Sequence, residues 1–263
     1  MDSRMVQIPV TVTDPMDRSV MNLNAGNFRV FEGDVEQTIS AFSLSDAPVS
    51  AGIVFDTSGS MKRRIQESRA SVQQFLETAV PEDEFFLVQF ADAANLLSPF
   101  TRQPADILRN LESMDARGWT ALYDAVFLSV QQLRRATNPR RVLLIVSDGE
   151  DNNSRYSESE VLSLVREADV RVYAIGLFTK ARCLEKMAEQ TGGRMITVHN
   201  LADLPAAMEK LSDEIRNQYM LGYFSTNGVN DGRYRKVRVE MRMPAGTPTL
   251  RLSWRHGYLI PSD

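Results

Sequence analysis

Five short stretches, 51–55, 84–90, 141–147, 171–176 and 194–198, constrain this chain more than anything else in it. The first reads Ala51-Gly52-Ile53-Val54-Phe55 and the third Arg-Val-Leu-Leu-Ile-Val-Ser, nearly without polar interruption. Runs this short and continuous suit strands covered on both faces, as in a parallel sheet. Amphipathic stretches separate them. Residues 62–79 carry Ile65, Val72, Phe75 and Leu76 on one helical stripe. Pro104 suits a helix start before Ile107, Leu108 and Leu111. Further helices are expected over 121–135, 158–168, 181–190 and 204–216, with a short edge strand over 95–100. Strands alternating with helices predict an α/β fold, a doubly wound and mostly parallel Rossmann-like sheet with helices on both faces.

The two ends follow a different period. Val6, Ile8, Val10 and Val12 alternate with Gln7, Pro9, Thr11 and Thr13, the pattern of a half-buried strand. Pro9 cannot donate to a ladder, which points to an edge position. Phe28 and Val30 lead to a turn at Glu32-Gly33-Asp34. One return strand is expected over 37–44, with Ile39 and Phe42 buried. From Gln218 the helical period stops. Tyr219, Leu221 and Tyr223 alternate, Asn227-Gly228 and Asp231-Gly232 are turn dipeptides, and strands follow over 234–243 and 249–254. Isolated hairpins are marginal in water. The strands of 1–48 and 218–263 are therefore expected to join into one small β-domain, with the α/β domain of 49–217 inserted between them.

Composition removes several functions. The formal charge is −4, which disfavours nucleic acid or an anionic membrane as a partner. A single cysteine, Cys183, excludes intrachain disulfides and Cys-based zinc or iron–sulfur sites. The two histidines, His199 and His256, lie far apart and have no metal-ligand spacing. His199 falls beyond a predicted strand, His256 sits in the terminal strand region, and Cys183 starts a helix as a small packed residue. No apolar run approaches the roughly 20 residues of a membrane span. The first residues, Met1 to Arg4, are mostly polar and no signal-peptide core follows, so the chain is either cytoplasmic or exported by a signal outside this sequence.

Enzyme motifs are absent as well. Serine occupies position 58, where an Asp-x-Asp phosphatase needs a second aspartate. Neither Gly-x-Gly-x-x-Gly, a phosphate-binding Gly-Lys-Ser/Thr loop, nor a Gly-x-Ser-x-Gly elbow occurs. No catalytic residues are assigned and the chain is not read as an enzyme.

Asp56-Thr57-Ser58-Gly59-Ser60 stands where the first buried strand gives way to the first helix. Ligands of open α/β sheets bind at such carboxyl ends. One carboxylate and two hydroxyls from one tight turn, with no nitrogen or sulfur, suit a hard cation such as Mg²⁺. Thr120 lies at a later helix start, where its hydroxyl either caps the helix or faces a metal. Asp148, in Val-Ser-Asp-Gly, ends the third buried strand at the same sheet edge as Asp56. The plainer reading is a turn in which Ser58 and Ser60 cap the helix and Asp56 accepts backbone bonds.

Asp56-x-Ser58-x-Ser60, then Thr120, then Asp148 together resemble the full metal-ion-dependent adhesion site of von Willebrand factor type A domains. The resemblance covers about 49–217. Phe28-Arg29-Val30-Phe31-Glu32-Gly33, Gln37 to Phe42, Asn217 to Tyr223 and Gly232 to Val237 are similar to a bacterial, largely acidobacterial, subfamily with strands on both sides of the A domain. The resemblance implies a divalent cation, Mg²⁺ or else Mn²⁺ or Ca²⁺, held by Asp56, Ser58, Ser60, Thr120 and Asp148 directly or through water. It implies a protein partner whose carboxylate takes an open coordination position, and a secreted or periplasmic setting. Trp119 departs from the family, standing where many relatives have glycine; it is either an exposed aromatic for a partner or a ring packed onto its loop. Glu150 and Asp151 follow Asp148 in a polar loop that contacts a partner, adds charge just beyond the metal ligands, or is simply solvated. A scaffold with a purely structural metal is the alternative function, with a hydrolase behind it.

Overall fold

The continuous apolar runs form the middle of one sheet, and the alternating ends form two others. A computed structural model describes residues 5–45, 47–179, 181–227, 232–244, 246 and 249–260. The first segment supplies β1 (Met5–Thr13), β2 (Phe28–Glu32), β3 (Val35–Gln37) and β4 (Ile39–Ser45). The α/β part begins with β5 (Val49–Asp56), α1 (Ile65–Glu77), β6 (Glu84–Phe90), β7 (Ala94–Thr101), α2 (Pro104–Glu112) and α3 (Leu122–Leu133). It continues through β8 (Arg140–Ser147), α4 (Glu158–Glu167), β9 (Arg171–Leu177), α5 (Arg182–Thr191), β10 (Met195–Val198) and α6 (Leu204–Arg216). Last come β11 (Gln218–Phe224), β12 (Tyr234–Met241), β13 (Arg251–Trp254) and β14 (Gly257–Leu259).

The central sheet has the order β10-β9-β8-β5-β6-β7. Its pairs are parallel except β6 with β7, which is antiparallel and closes one edge. Every residue of β5 is buried, as a strand covered on both faces requires. Gly52 interrupts this apolar run for a steric reason: a Cβ there would stand 2.2 Å from Cζ of Phe86 and 2.8 Å from Cδ2 of Leu143. Val72 and Phe75 of α1 pack with Met208 and Leu211 of α6 on one face. Val126 of α3, Val161 of α4 and Leu184 of α5 fill the other. Strand order reverses between β5 and β8, so the chain leaves them toward opposite faces and a crevice opens at their carboxyl ends.

The outer strands form two four-stranded sheets, β13-β1-β11-β4 and β14-β12-β2-β3. They share a core of Ile8, Val10, Phe28, Val30, Tyr219, Leu221, Val237 and Val239. Strands from the two ends of the chain thus pair directly, β1 with β11 and β2 with β12. Several local expectations differ. The single return strand splits at Thr38, because β3 pairs with β2 in one sheet while β4 pairs with β11 in the other. Ile39 and Phe42 on β4 are partly rather than fully buried. Nor is β1 an edge strand: it lies between β13 and β11. Pro9 is tolerated because β13 pairs only with Val10 to Thr13, leaving Pro9 opposite β11 alone. The final strand begins at Arg251, and β14 was not anticipated. Gly228 and Asp231 of the two turn dipeptides lie outside the described residues.

Arg140, at the start of β8, ties together the two places where the chain enters and leaves the α/β layers. Its Nη1 donates to the Ala47 carbonyl at 2.9 Å and its Nη2 to the Ile215 carbonyl, at the entry to β5 and the end of α6. Burial and the nearby Arg171 and Arg216 lower its pKa to about 10.

Candidate metal centre

Asp56 ends β5 with its side chain wholly buried. Its Oδ1 accepts the Ser58 N–H at 2.8 Å and its Oδ2 the Ser147 hydroxyl at 2.5 Å. Burial raises its pKa above the usual carboxylate range; the bonds from Ser147 and Ser58 oppose this, while the Asp148 charge adds to it. The chain then turns through a 3-10 segment, Gly59–Arg63, before α1. That tight turn sets the Ser58 and Ser60 hydroxyls 3.1 Å apart. Ser60 donates across the crevice to Asp148 Oδ1 at 2.6 Å. Neither hydroxyl caps the helix: Ser58 makes no side-chain cap bond and Arg64 is the N-cap of α1.

The loop before α3 closes the other side. Gly118 has φ +83°, and a Cβ there would stand 2.5 Å from Asp92 Oδ2. Asp92 Oδ1 accepts the Trp119 N–H at 2.8 Å, while the Gly118 carbonyl accepts the Gly59 N–H at 3.0 Å. This stitches the loop to the Asp56 turn and leaves Thr120 nearly buried. A Cβ on Gly149, the residue after Asp148, would lie 3.7 Å from Thr120 Oγ1. Thr120 does not cap α3; its N-cap, Ala121, makes no side-chain cap bond.

The polar loop after Asp148 divides by role. Asp151 Oδ1 accepts the Tyr123 N–H at 3.1 Å and both of its oxygens engage Ser154, so its carboxylate serves the start of α3. Asn152 Oδ1 accepts the Thr120 N–H at 2.8 Å. Glu150 is exposed. The Trp119 ring is 64% exposed and so is not packed onto its loop. Sequence reasoning misses three participants: Ser147, Asp92 and Arg64. Ser147 directly precedes Asp148 and was visible as a hydroxyl at the same strand end. Arg64 Nη1 bonds Asp148 Oδ2. Nothing in the local pattern marked it or Asp92.

His199 is exposed, and Cys183 is packed against the α5 side of the core. Among the described residues no three His, Cys, Asp or Glu side chains gather at metal-binding distance. The donors here are instead two buried carboxylates that repel each other and the hydroxyls of Ser58, Ser60 and Thr120. A hard divalent cation would offset that repulsion and match an all-oxygen donor set, so the residues present fit one.

Residues 52–150 match the family model of the von Willebrand factor type A domain. The pig inter-alpha-trypsin inhibitor heavy chain H4 is 28% identical over 228 residues, covering 73% of this chain and 24% of that protein. The human H4 protein is 24% identical over 220 residues, with 77% and 23% covered. The chain therefore spans about a quarter of the length of these curated relatives. Among solved structures, a von Willebrand factor type A protein from Catenulispora acidiphila superposes on 98% of this chain and 74% of its own, with TM-score 0.57 and 11% identity. Proximal thread matrix protein 1 of the mussel byssus, solved with a zinc-occupied metal-ion-dependent adhesion motif, covers 68% of this chain and 49% of its own, with TM-score 0.56 and 20% identity. The fold is that of the von Willebrand factor type A domain, with two additional sheets beside it.

Proposed function

We propose that this chain is a metal-dependent protein-binding module of the von Willebrand factor type A kind, flanked by a β-domain built from 1–48 and 218–263, with the A domain over 49–217. The observation that carries the reading is the convergence of Ser58, Ser60, Asp56 and Asp148 within hydrogen-bond contact at the switch point of the sheet. Asp56, Ser58, Ser60, Thr120 and Asp148 would hold a divalent cation, Mg²⁺ in the first instance and Mn²⁺ or Ca²⁺ as alternatives. Bound there, the cation would supply an electrophilic position open to one external carboxylate.

The protein's own groups determine how well that works. Hydroxyl donors carry no charge, so Ser58, Ser60 and Thr120 orient a ligand without quenching the cation. Ser147 fixes one oxygen of Asp56, and the Ser58 N–H fixes the other. The exposed Trp119 offers a partner an apolar contact beside the site, with Glu150 at its rim. Asp151 would act by holding the loop and α3 start in place. The partner is a protein presenting a carboxylate, the module performs no catalysis, and we place it outside the cytoplasm. Among the described residues no helix is long and apolar enough to cross a membrane.

Calorimetric titration of Mg²⁺, Mn²⁺ and Ca²⁺ into the wild type and Asp56→Ala tests the site. Saturable binding lost in the variant is expected; equal binding by both proteins would refute it. Partner capture that survives chelation would favour a structural metal instead.

A further inference from the structure

Beside the site stands a cation that belongs to the protein. Arg64 lies between the 3-10 turn and α1, and its backbone is fixed by its N–H on the Met61 carbonyl at 2.8 Å and its carbonyl under the Ser68 N–H at 3.0 Å. Its guanidinium contacts Asp148 Oδ2, the oxygen that Ser60 leaves free. The Asp148 side chain is fully covered, while that of Arg64 remains 27% exposed. The guanidinium also lies over the Phe178 ring, 4.5 Å from its centroid. Phe178 follows β9 with φ +61°, a conformation bulky residues rarely adopt. Its N–H on the Val198 carbonyl at 2.8 Å holds it there. The guanidinium is thus held both by a site carboxylate and by an aromatic ring beside the site.

A divalent cation bound as proposed above would need the same carboxylate charge and would face the guanidinium as a like charge at short range. We propose that Arg64 sets the cation affinity of this site: the guanidinium and the divalent cation compete for Asp148, and Phe178 biases the contest by stabilising the guanidinium in place. The proposal rests on the assignment of the site as a cation site. It makes Arg64 a positioning residue whose removal strengthens cation binding while weakening the cation-free protein, because Asp148 then stays buried without its charge partner. A residue that merely supported the fold would weaken both.

The test is Mn²⁺ titration of the wild type, Arg64→Gln, Arg64→Lys, Phe178→Ala, the Arg64→Gln/Phe178→Ala double variant and Asp56→Ala, with thermal melting of each protein free of metal. Arg64→Gln is expected to bind on the order of 10-fold more tightly and to melt lower when metal-free. Arg64→Lys, which keeps the charge, should stay within a few-fold of the wild type. Phe178→Ala should gain a few-fold alone and nothing further beside Arg64→Gln. Unchanged or weaker binding by Arg64→Gln overturns the proposal, as does an equal gain in Arg64→Lys. Asp56→Ala keeps the two readings apart. If it still binds, the site assignment falls and the proposal with it. If it loses binding while Arg64→Gln gains nothing, the proposal alone falls.

Discussion

Gly118→Ala probes the joint between the Asp56 turn and the loop that carries Thr120. Gly118 adopts φ +83°, where an alanine pays about 1–2 kcal/mol of left-handed strain. The new Cβ would also stand 2.5 Å from Asp92 Oδ2 and 2.6 Å from Oδ1. Asp92 can swing aside only by releasing the Trp119 N–H that it holds at 2.8 Å, a loss of about 1 kcal/mol. Reduced freedom of the unfolded chain returns about 0.4–1 kcal/mol. The net destabilisation is therefore about 1–2.5 kcal/mol, or a fall of roughly 2–10 °C in Tm for a chain of this size. Gly33 supplies the control. It too has positive φ, +58°, but a Cβ there meets nothing within 4 Å. Gly33→Ala thus carries the strain without the collision and should lose about 1 kcal/mol less. The two variants should also differ in function. Gly118 accepts the Gly59 N–H at 3.0 Å, so displacing it disturbs the serine turn, whereas Gly33 lies in a hairpin of the outer sheets. Urea denaturation and Mn²⁺ titration of both variants would check this. Equal stability losses together with unchanged cation affinity in Gly118→Ala would refute the reasoning.

Other predictions concern parts of the molecule away from this joint. Burial alone would push the Glu32 carboxyl up, but donors from Tyr258 at 2.7 Å, Ser225 and Arg235 at 2.8 Å and Tyr223 at 3.0 Å hold it below the usual range. Its stabilisation is present above the unfolded carboxyl pKa of about 4.3 and is lost as pH falls through the lower folded value. Glu32→Gln should accordingly lower the urea midpoint at pH 7 and flatten its decline toward pH 3. Burial pushes the Cys183 thiol up to about 12, so the native protein should resist a disulfide reagent at pH 8 and react fully only in denaturant. Rapid native labelling would contradict that burial. Gly52→Ala drives a methyl to within 2.2 Å of the Phe86 ring in the middle of β5 and should cost about 1–3 kcal/mol on chemical denaturation.

Legibility from sequence tracked how local the determining physics is. The parallel core can be read because strands covered on both faces must be apolar through their middle, as in β5 and β8. The outer strands could be read from their period of two, yet their pairing could not. Thr38 passes the chain from one sheet to the other, and that step depends on where β11 and β2 lie, not on neighbouring residues. Pro9 misled for a similar reason: its tolerance is set by the late start of β13 in the ladder, from a segment more than two hundred residues away. At the crevice, Asp56, Ser58, Ser60 and Asp148 stood out because each sits at a strand end whose position the alternation of elements dictates. Arg64 and Asp92 did not, because their significance comes from contacts across the crevice, with Asp148 and with Trp119. The same limit applies to Trp119 and Asp151. Sequence leaves open whether Trp119 faces outward and does not indicate the bonds Asp151 makes to the start of α3; the structure has Trp119 exposed and Asp151 holding that helix start.

The oxygens gathered at the β5 and β8 ends are proposed to hold a divalent cation. The most direct test is the anomalous scattering of crystals soaked in Mn²⁺. A single strong peak is expected within about 2.6 Å of both the Ser58 and Ser60 hydroxyl oxygens, with Arg64 drawn away from Asp148. A peak elsewhere, or none at saturating Mn²⁺ with the Arg64–Asp148 contact intact, would contradict that assignment.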